Sequence, residues 1–213
     1  MATLTFNDIP GTGDIKVLNY ALALEALEAD LYSQAILRLT GGGVNGLGVN
    51  IPGLGLSDSE PDVRYARIFA EVEKDHRDFL NSALGDASII GPGANGILRS
   101  AKFNFAIESM GRPQVLELLH AVEATGVMAY LGAIKYFSTK TYLPVAGGIQ
   151  GTEARHTAVL AIVFNQLGFT PSKTTAPLAG QSTSILGVSN TSGIDGTLEP
   201  DQVLDTVDIW VTL

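Results

Sequence analysis

The sequence predicts an all-α fold, a four-helix bundle with one long crossover and an irregular C-terminal tail. Three observations predict it. Four segments, roughly 14–40, 59–84, 113–138 and 148–167, repeat apolar residues at helical spacing. About 27 residues separate the second segment from the third, which suits a crossover that leaves those two helices parallel. Hydrophobic residues make up 46 % of the 213 and charged residues only 16 %, enough apolar material for one sizeable core.

Each element has its own local signals. Asp14 is placed to cap the first helix, and Gly41-Gly42-Gly43 stops it. Ser57 and Glu60 have capping-box spacing ahead of the second helix, Pro61 suits its first turn, and Gly85 ends it. Between these helices lies GGGVNGLGVNIPGLGLSD, uncharged until Asp58, which reads as an apolar flap. The crossover holds a candidate short helix, ILRSAKFNFAIESM. Pro113 opens the third helix, and Gly168 follows the fourth. We divide the chain into a bundle over 1–168 and an extension over 169–213 that packs on the bundle or on a second subunit.

Composition removes several functions. With no cysteine there is no disulfide, thiolate zinc site, iron–sulfur cluster or cysteine nucleophile. A net charge of −9 repels phosphate backbones, so nucleic acid is not an expected partner. No apolar stretch reaches membrane-spanning length without a charge. The N-terminus lacks the basic start and apolar run of a signal peptide, and an exported mature chain with an added Met1 has the same appearance.

The chemistry sits in two repeated pairs. Glu73-Lys-Asp-His76 falls on the second helix and Glu153-Ala-Arg-His156 on the fourth. Residues at i and i+3 share a helix face, so each pair aims at one point. A dinuclear carboxylate site in a bundle takes Glu-x-x-His from two helices and one Glu from each of the others. Glu25 and Glu123 fill those places, both embedded among apolar residues. Buried carboxylates are very costly when unpaired, and two divalent cations neutralise four of them. Oxygen-plus-imidazole ligation favours iron or manganese, with zinc also compatible. Tyr32 and Tyr130 each follow their helix's Glu by seven residues, nearly two turns, so the halves of the chain write one pseudo-twofold pattern twice.

Other residues are read as follows. Tyr32 and Tyr130 are hydrogen-bond donors behind the ligands or plain core aromatics, the two readings weighing equally. Glu28 and Glu71 lie near the ligands but on rotated faces, which reads as surface ion pairing; tyrosine spacing selects Glu25 over Glu28 as the first helix's ligand. His120 is a core or surface residue first, and a supporting partner or extra ligand second. Gly126 and Gly132 give close helix approach or room near the metals.

The stretches LNYALALEALEADLY, EKDHRDFLNSALG, EATGVMAYLGAI and TEARHTAVL resemble the ferritin-like superfamily, and within it the desiccation-related ferritin-like domain proteins. The resemblance covers about 14–168, and LEPDQVLDTVDIW resembles that family's C-terminal end. It implies a ferritin-like bundle whose ligands are Glu25, Glu73, His76, Glu123, Glu153 and His156. It implies two metal ions, iron first and manganese next, acting on a small oxidant or a metal-ion substrate. Members resemble stress-associated proteins and are often exported, and a homo-oligomer is the expected assembly of this chain. The expected function is ferroxidase, peroxidase or catalase-like chemistry in stress protection; the alternative is a structural or assembly protein whose metals only staple the bundle. A metal-free relic bundle used for binding is the third reading.

Overall fold

The structure, a computed structural model, describes residues 4–169 and 194–212. Its frame is four long helices: α1 (Asp14–Leu39), α2 (Pro61–Leu84), α3 (Arg112–Ala133) and α4 (Leu143–Gln166). α1 packs along α2 and α3 along α4, and the two hairpins meet through α1–α3 and α2–α4 contacts. The long crossover between α2 and α3 joins them, as expected for this topology. α1 and α3 are buried on nearly all sides, because each faces its hairpin partner, the opposite hairpin and a covering segment. α3 and its 3-10 extension, Arg112–Tyr136, is the one described helix long and apolar enough to cross a bilayer. Its apolar window is 78 % buried in the bundle, as a core helix is.

Helix ends depart from the sequence reading in instructive ways. Gly13, not Asp14, is the N-cap residue of α1. The Asp14 carboxylate instead accepts from the Ser138 and Thr139 amides at 2.7 and 3.1 Å, pinning the α3–α4 connection. No capping box forms at α2: the Ser57 hydroxyl turns to Ser59, while Pro61 takes the first turn as expected. α4 begins five residues earlier than the glycines at 147–148 suggest, because Pro144 opens it and the bundle supplies packing that glycine propensity does not.

The glycine-rich loop forms a small antiparallel hairpin, β1 (Gly42–Val44) with β2 (Asn50–Pro52). The chain after it satisfies the end of α1: Leu54, Gly55 and Leu56 amides donate to the Arg38, Thr40 and Leu39 carbonyls at 2.8–3.0 Å. Only glycine fits at 53, where a Cβ would sit 2.1 Å from the Thr40 carbonyl oxygen.

The candidate helix at Ile97–Met110 does not form. Lys102 and Phe103 become strand β3 (Lys102–Phe103), paired antiparallel with β4 (Val211–Thr212), and Ala106 takes a left-handed φ of 52°. A two-residue ladder and the Asn104 amide bond to the Trp210 carbonyl replace helical bonds. From Leu198 the C-terminal segment, with helix α5 (Pro200–Val207), lies against the bundle. The Leu198 amide donates to the Met128 carbonyl at 3.2 Å, and the Phe6 amide donates to Asp201 at 2.6 Å. Gly132 allows this close approach; a Cβ there would lie 1.8 Å from the Leu198 oxygen. The expected space at this glycine therefore serves the C-terminal backbone. The stretch 170–193 lies outside the described residues.

Candidate metal centre

Each long helix contributes inward carboxylate. Glu25 on α1, Glu73 on α2, Glu123 on α3 and Glu153 on α4 all have 0 % relative exposure. His76 and His156 follow their glutamates by one helical turn, on the same faces. The six residues form two groups: Glu25, Glu73, His76 and Glu153, and Glu73, Glu123, Glu153 and His156. Glu73 and Glu153 belong to both.

The interatomic spacing is that of ligands around a common ion. The Nδ1 atom of His76 lies 3.0 Å from Glu73 Oε2, 3.3 Å from Glu25 Oε2 and 3.4 Å from Glu153 Oε1. His156 Nδ1 lies 2.7 Å from Glu73 Oε1 and 3.2 Å from Glu123 Oε1. Two ligand atoms at right angles, each about 2.1 Å from a cation, sit about 3 Å apart. Glu73 therefore presents Oε2 to His76 and Oε1 to His156.

Several of these oxygens are orphans in the protein alone. Glu123 Oε2 and Glu153 Oε2 are buried without a hydrogen-bond partner, and Glu25 Oε2 and Glu153 Oε1 have only the distant His76 Nδ1, at 3.3 and 3.4 Å. Buried anionic oxygens facing one another demand cations or protons. The donor set, four carboxylates with two imidazoles, fits two divalent cations.

Electrostatics without metal shows the same demand. Burial, reinforced by neighbouring carboxylates, raises Glu123 and Glu153 well above the ordinary range. Burial likewise pushes Glu25 up, against a His76 hydrogen bond. His76 loses charge stability to burial, but hydrogen bonds to Glu153, Glu25 and Glu73 outweigh it and push its pKa up to about 12. Burial also acts to raise Glu73, yet bonds from His156 and His76 leave it lowered. Cations at these points would take the place of the protons that the clustered carboxylates otherwise hold.

The tyrosines cross over. Tyr130 on α3 donates to Glu25 on α1 at 2.5 Å, and Tyr32 on α1 donates a short hydrogen bond to Glu123 on α3. Each phenol thus supports the glutamate of the opposite hairpin, not the one seven residues before it. Burial, followed by nearby carboxylate charge, raises both phenols and keeps them O–H donors. Phe69 closes the second side: its ring stacks on His156 at 3.8 Å and meets Tyr32 edge-on at 6.2 Å.

A family profile for the ferritin-like domain matches residues 13–166, which spans all four helices and all six clustered residues. The chain belongs to the ferritin-like domain family. Searches of curated proteins and of solved structures gave no match.

In this ferritin-like domain, one surface assignment is overturned. Glu28 is not a solvated ion-pairing residue; it is 3 % exposed. It lies one turn beyond Glu25, and α3 with the C-terminal segment covers it. The signal available in the sequence was its setting in LALEALEADLY, where apolar residues flank it on both sides. Burial, then the charges of Glu153 and Glu25, raise its pKa well above the carboxylate range. Glu71 does sit at the surface, 3.8 Å from Lys74. His120 is half-buried on α3 and outside both groups of clustered residues. Gly126 gives room at the centre: a Cβ there would lie 3.0 Å from Glu28 Oε1 and 3.3 Å from Glu153 Oε2.

Proposed function

We propose that this ferritin-like domain is a dinuclear metal oxidoreductase acting on peroxide, dioxygen or ferrous iron, in stress protection. The observation that carries the reading is the sharing of Glu73 and Glu153 by two Glu–His groups whose four carboxylates are fully buried. Glu25 and His76 complete one position, and Glu123 and His156 complete the other. Iron is the first choice and manganese the second, since hard oxygens with one imidazole each suit both. The chemistry such a pair supplies when bound is reversible one- or two-electron exchange with a small oxidant or reductant.

The chain's own residues have distinct tasks in this reading. Glu73 and Glu153 would each contribute to both metal positions. Tyr32 and Tyr130 orient Glu123 and Glu25 and hold protons at the edge of the site. Phe69 fixes the His156 ring by stacking and excludes water from that side. The resemblance to desiccation-related proteins supports the stress-protection role.

The deciding experiment is elemental analysis of natively purified protein beside a Glu73→Ala/His156→Ala double variant, followed by assay of the metal found. About two iron or manganese atoms per chain are expected, and the variant loses them. Retention of both metals in the variant would sink the assignment of these ligands. Metal-loaded protein that leaves peroxide, dioxygen and ferrous iron untouched would sink the redox reading. A second reading, metals as structural staples, is favoured by the buried carboxylates gathered at the centre, Glu25, Glu73, Glu123 and Glu153 with Glu28 beside them. It expects a large stability loss on chelation without turnover.

A further inference from the structure

Among the described residues, two buried carboxylates lie outside the six clustered ones: Asp62, which Arg112 pairs, and Glu28. Its Oε2 has no hydrogen-bond partner among the described residues, and its side chain lines a cavity between α1, α3 and the C-terminal segment. The walls are mainly aliphatic: Leu24, Leu27, Val122 and Val207. The one wall hydroxyl, Thr125, already donates to the Ala121 carbonyl at 2.7 Å. Trp210 is the one lining residue that is not buried, so it marks the mouth. The cavity amounts to about 10 Å³, the space that the centre of one water-sized molecule explores.

The inner end abuts the metal centre. Glu28 Oε1 and Glu153 Oε2 both face the side-chain position that Gly126 leaves empty, 3.0 and 3.3 Å from where a Cβ would stand. Aliphatic walls strip a hydrated cation of its water and return nothing, so ferrous iron is a poor traveller here. A small neutral molecule has no such hydration shell to lose. An unpartnered carboxylate oxygen at the far end asks for a hydrogen-bond donor. Hydrogen peroxide has two O–H donors, and dioxygen has none.

We propose that hydrogen peroxide reaches the metal pair through this cavity, beneath the C-terminal segment, and that Glu28 receives it by a hydrogen bond beside Glu153. This rests on the redox reading of the centre. Glu28 acts here as a positioning residue, and Trp210 with Val207 forms the gate.

The test uses iron-loaded full-length protein and three variants, Val207→Phe, Trp210→Ala and Glu28→Gln, each checked for iron content. Two rates are followed by stopped flow: association of nitric oxide, a neutral diatomic whose binding needs no turnover, and oxidation by hydrogen peroxide. Val207→Phe narrows the mouth and slows both rates severalfold at unchanged iron content. Trp210→Ala widens it and speeds both. Glu28→Gln slows peroxide by about fivefold, the worth of one ordinary hydrogen bond, and leaves nitric oxide within about twofold. Nitric oxide rates unmoved by both mouth variants would overturn the route. Peroxide rates unmoved by Glu28→Gln would overturn the role of that carboxylate. If nitric oxide obeys the mouth variants while peroxide never reacts, the route stands, and the redox reading fails together with the role of Glu28.

Discussion

Replacing Gly132 by alanine isolates what the C-terminal segment does, because the residue lies on α3 away from the six clustered side chains. The new methyl carbon would stand 1.8 Å from the Leu198 carbonyl oxygen and 2.8 Å from its carbon. Ordinary contact of a methyl with a carbonyl oxygen needs about 3.2–3.5 Å, so the segment must retreat by about 1.5 Å. Backbone cannot swing aside as a flexible side chain does, and the 3.2 Å bond from the Leu198 amide to Met128 breaks with it. Overpacking of this kind costs about 1–3 kcal/mol. For a chain of this size each kcal/mol shifts Tm by about 2–4 °C, which gives a fall of about 2–12 °C. The assay is thermal unfolding together with the emission of Trp210, the chain's single tryptophan, which shifts to the red as the segment lifts. Metal content stays at the wild-type value, since no clustered residue touches Gly132. A variant with unchanged Tm and unchanged emission would refute the claim that glycine is required for docking this segment.

Other outcomes follow from the site. Tyr32→Phe is expected to weaken metal at the Glu123–His156 position and Tyr130→Phe at the Glu25–His76 position, each by about 10–100-fold in affinity, read by metal titration. Weakening at the same-helix glutamate instead would contradict the crossed hydrogen bonds. The metal-free protein should lose stability as pH rises from about 5 to 9. Glu28, Glu123 and Glu153 have folded pKa values raised by burial, and His76 is held up to about 12 by its carboxylates against burial. In each case the folded state binds more protons than the unfolded state, so the stabilisation is full below the unfolded pKa and drains away above it. Metal binding releases those protons, so the gap in Tm between loaded and metal-free protein widens over the same range. A gap that narrows with pH would contradict proton–metal competition at these groups.

Much of this was legible in the sequence because a helix converts spacing into direction. Glu73 with His76, and Glu153 with His156, are one turn apart, so their common face follows from backbone geometry alone. Glu25 and Glu123 were legible for a different reason: a carboxylate between leucines, valines and alanines is either misplaced or functional. Glu28 has the same setting, and the rotation argument that sent it to the surface assumed a helix with one solvent face. α1 has almost none, because α3 and the C-terminal segment cover the side that α2 leaves. The helix expected at Ile97–Met110 failed similarly: local apolar spacing lost to pairing with a strand more than 100 residues away.

The sequence by itself determined the four helices, the crossover and the pairing of each histidine with its glutamate, since these depend on contacts within a turn or two of chain. Tertiary structure alone decided which tyrosine serves which glutamate, that Glu28 is buried, and that Gly132 serves the C-terminal backbone. Those outcomes depend on which surfaces meet across the bundle. Partners more than 60 residues apart in the chain are brought together by burial of apolar surface, and burial favours area without naming the residue that provides it.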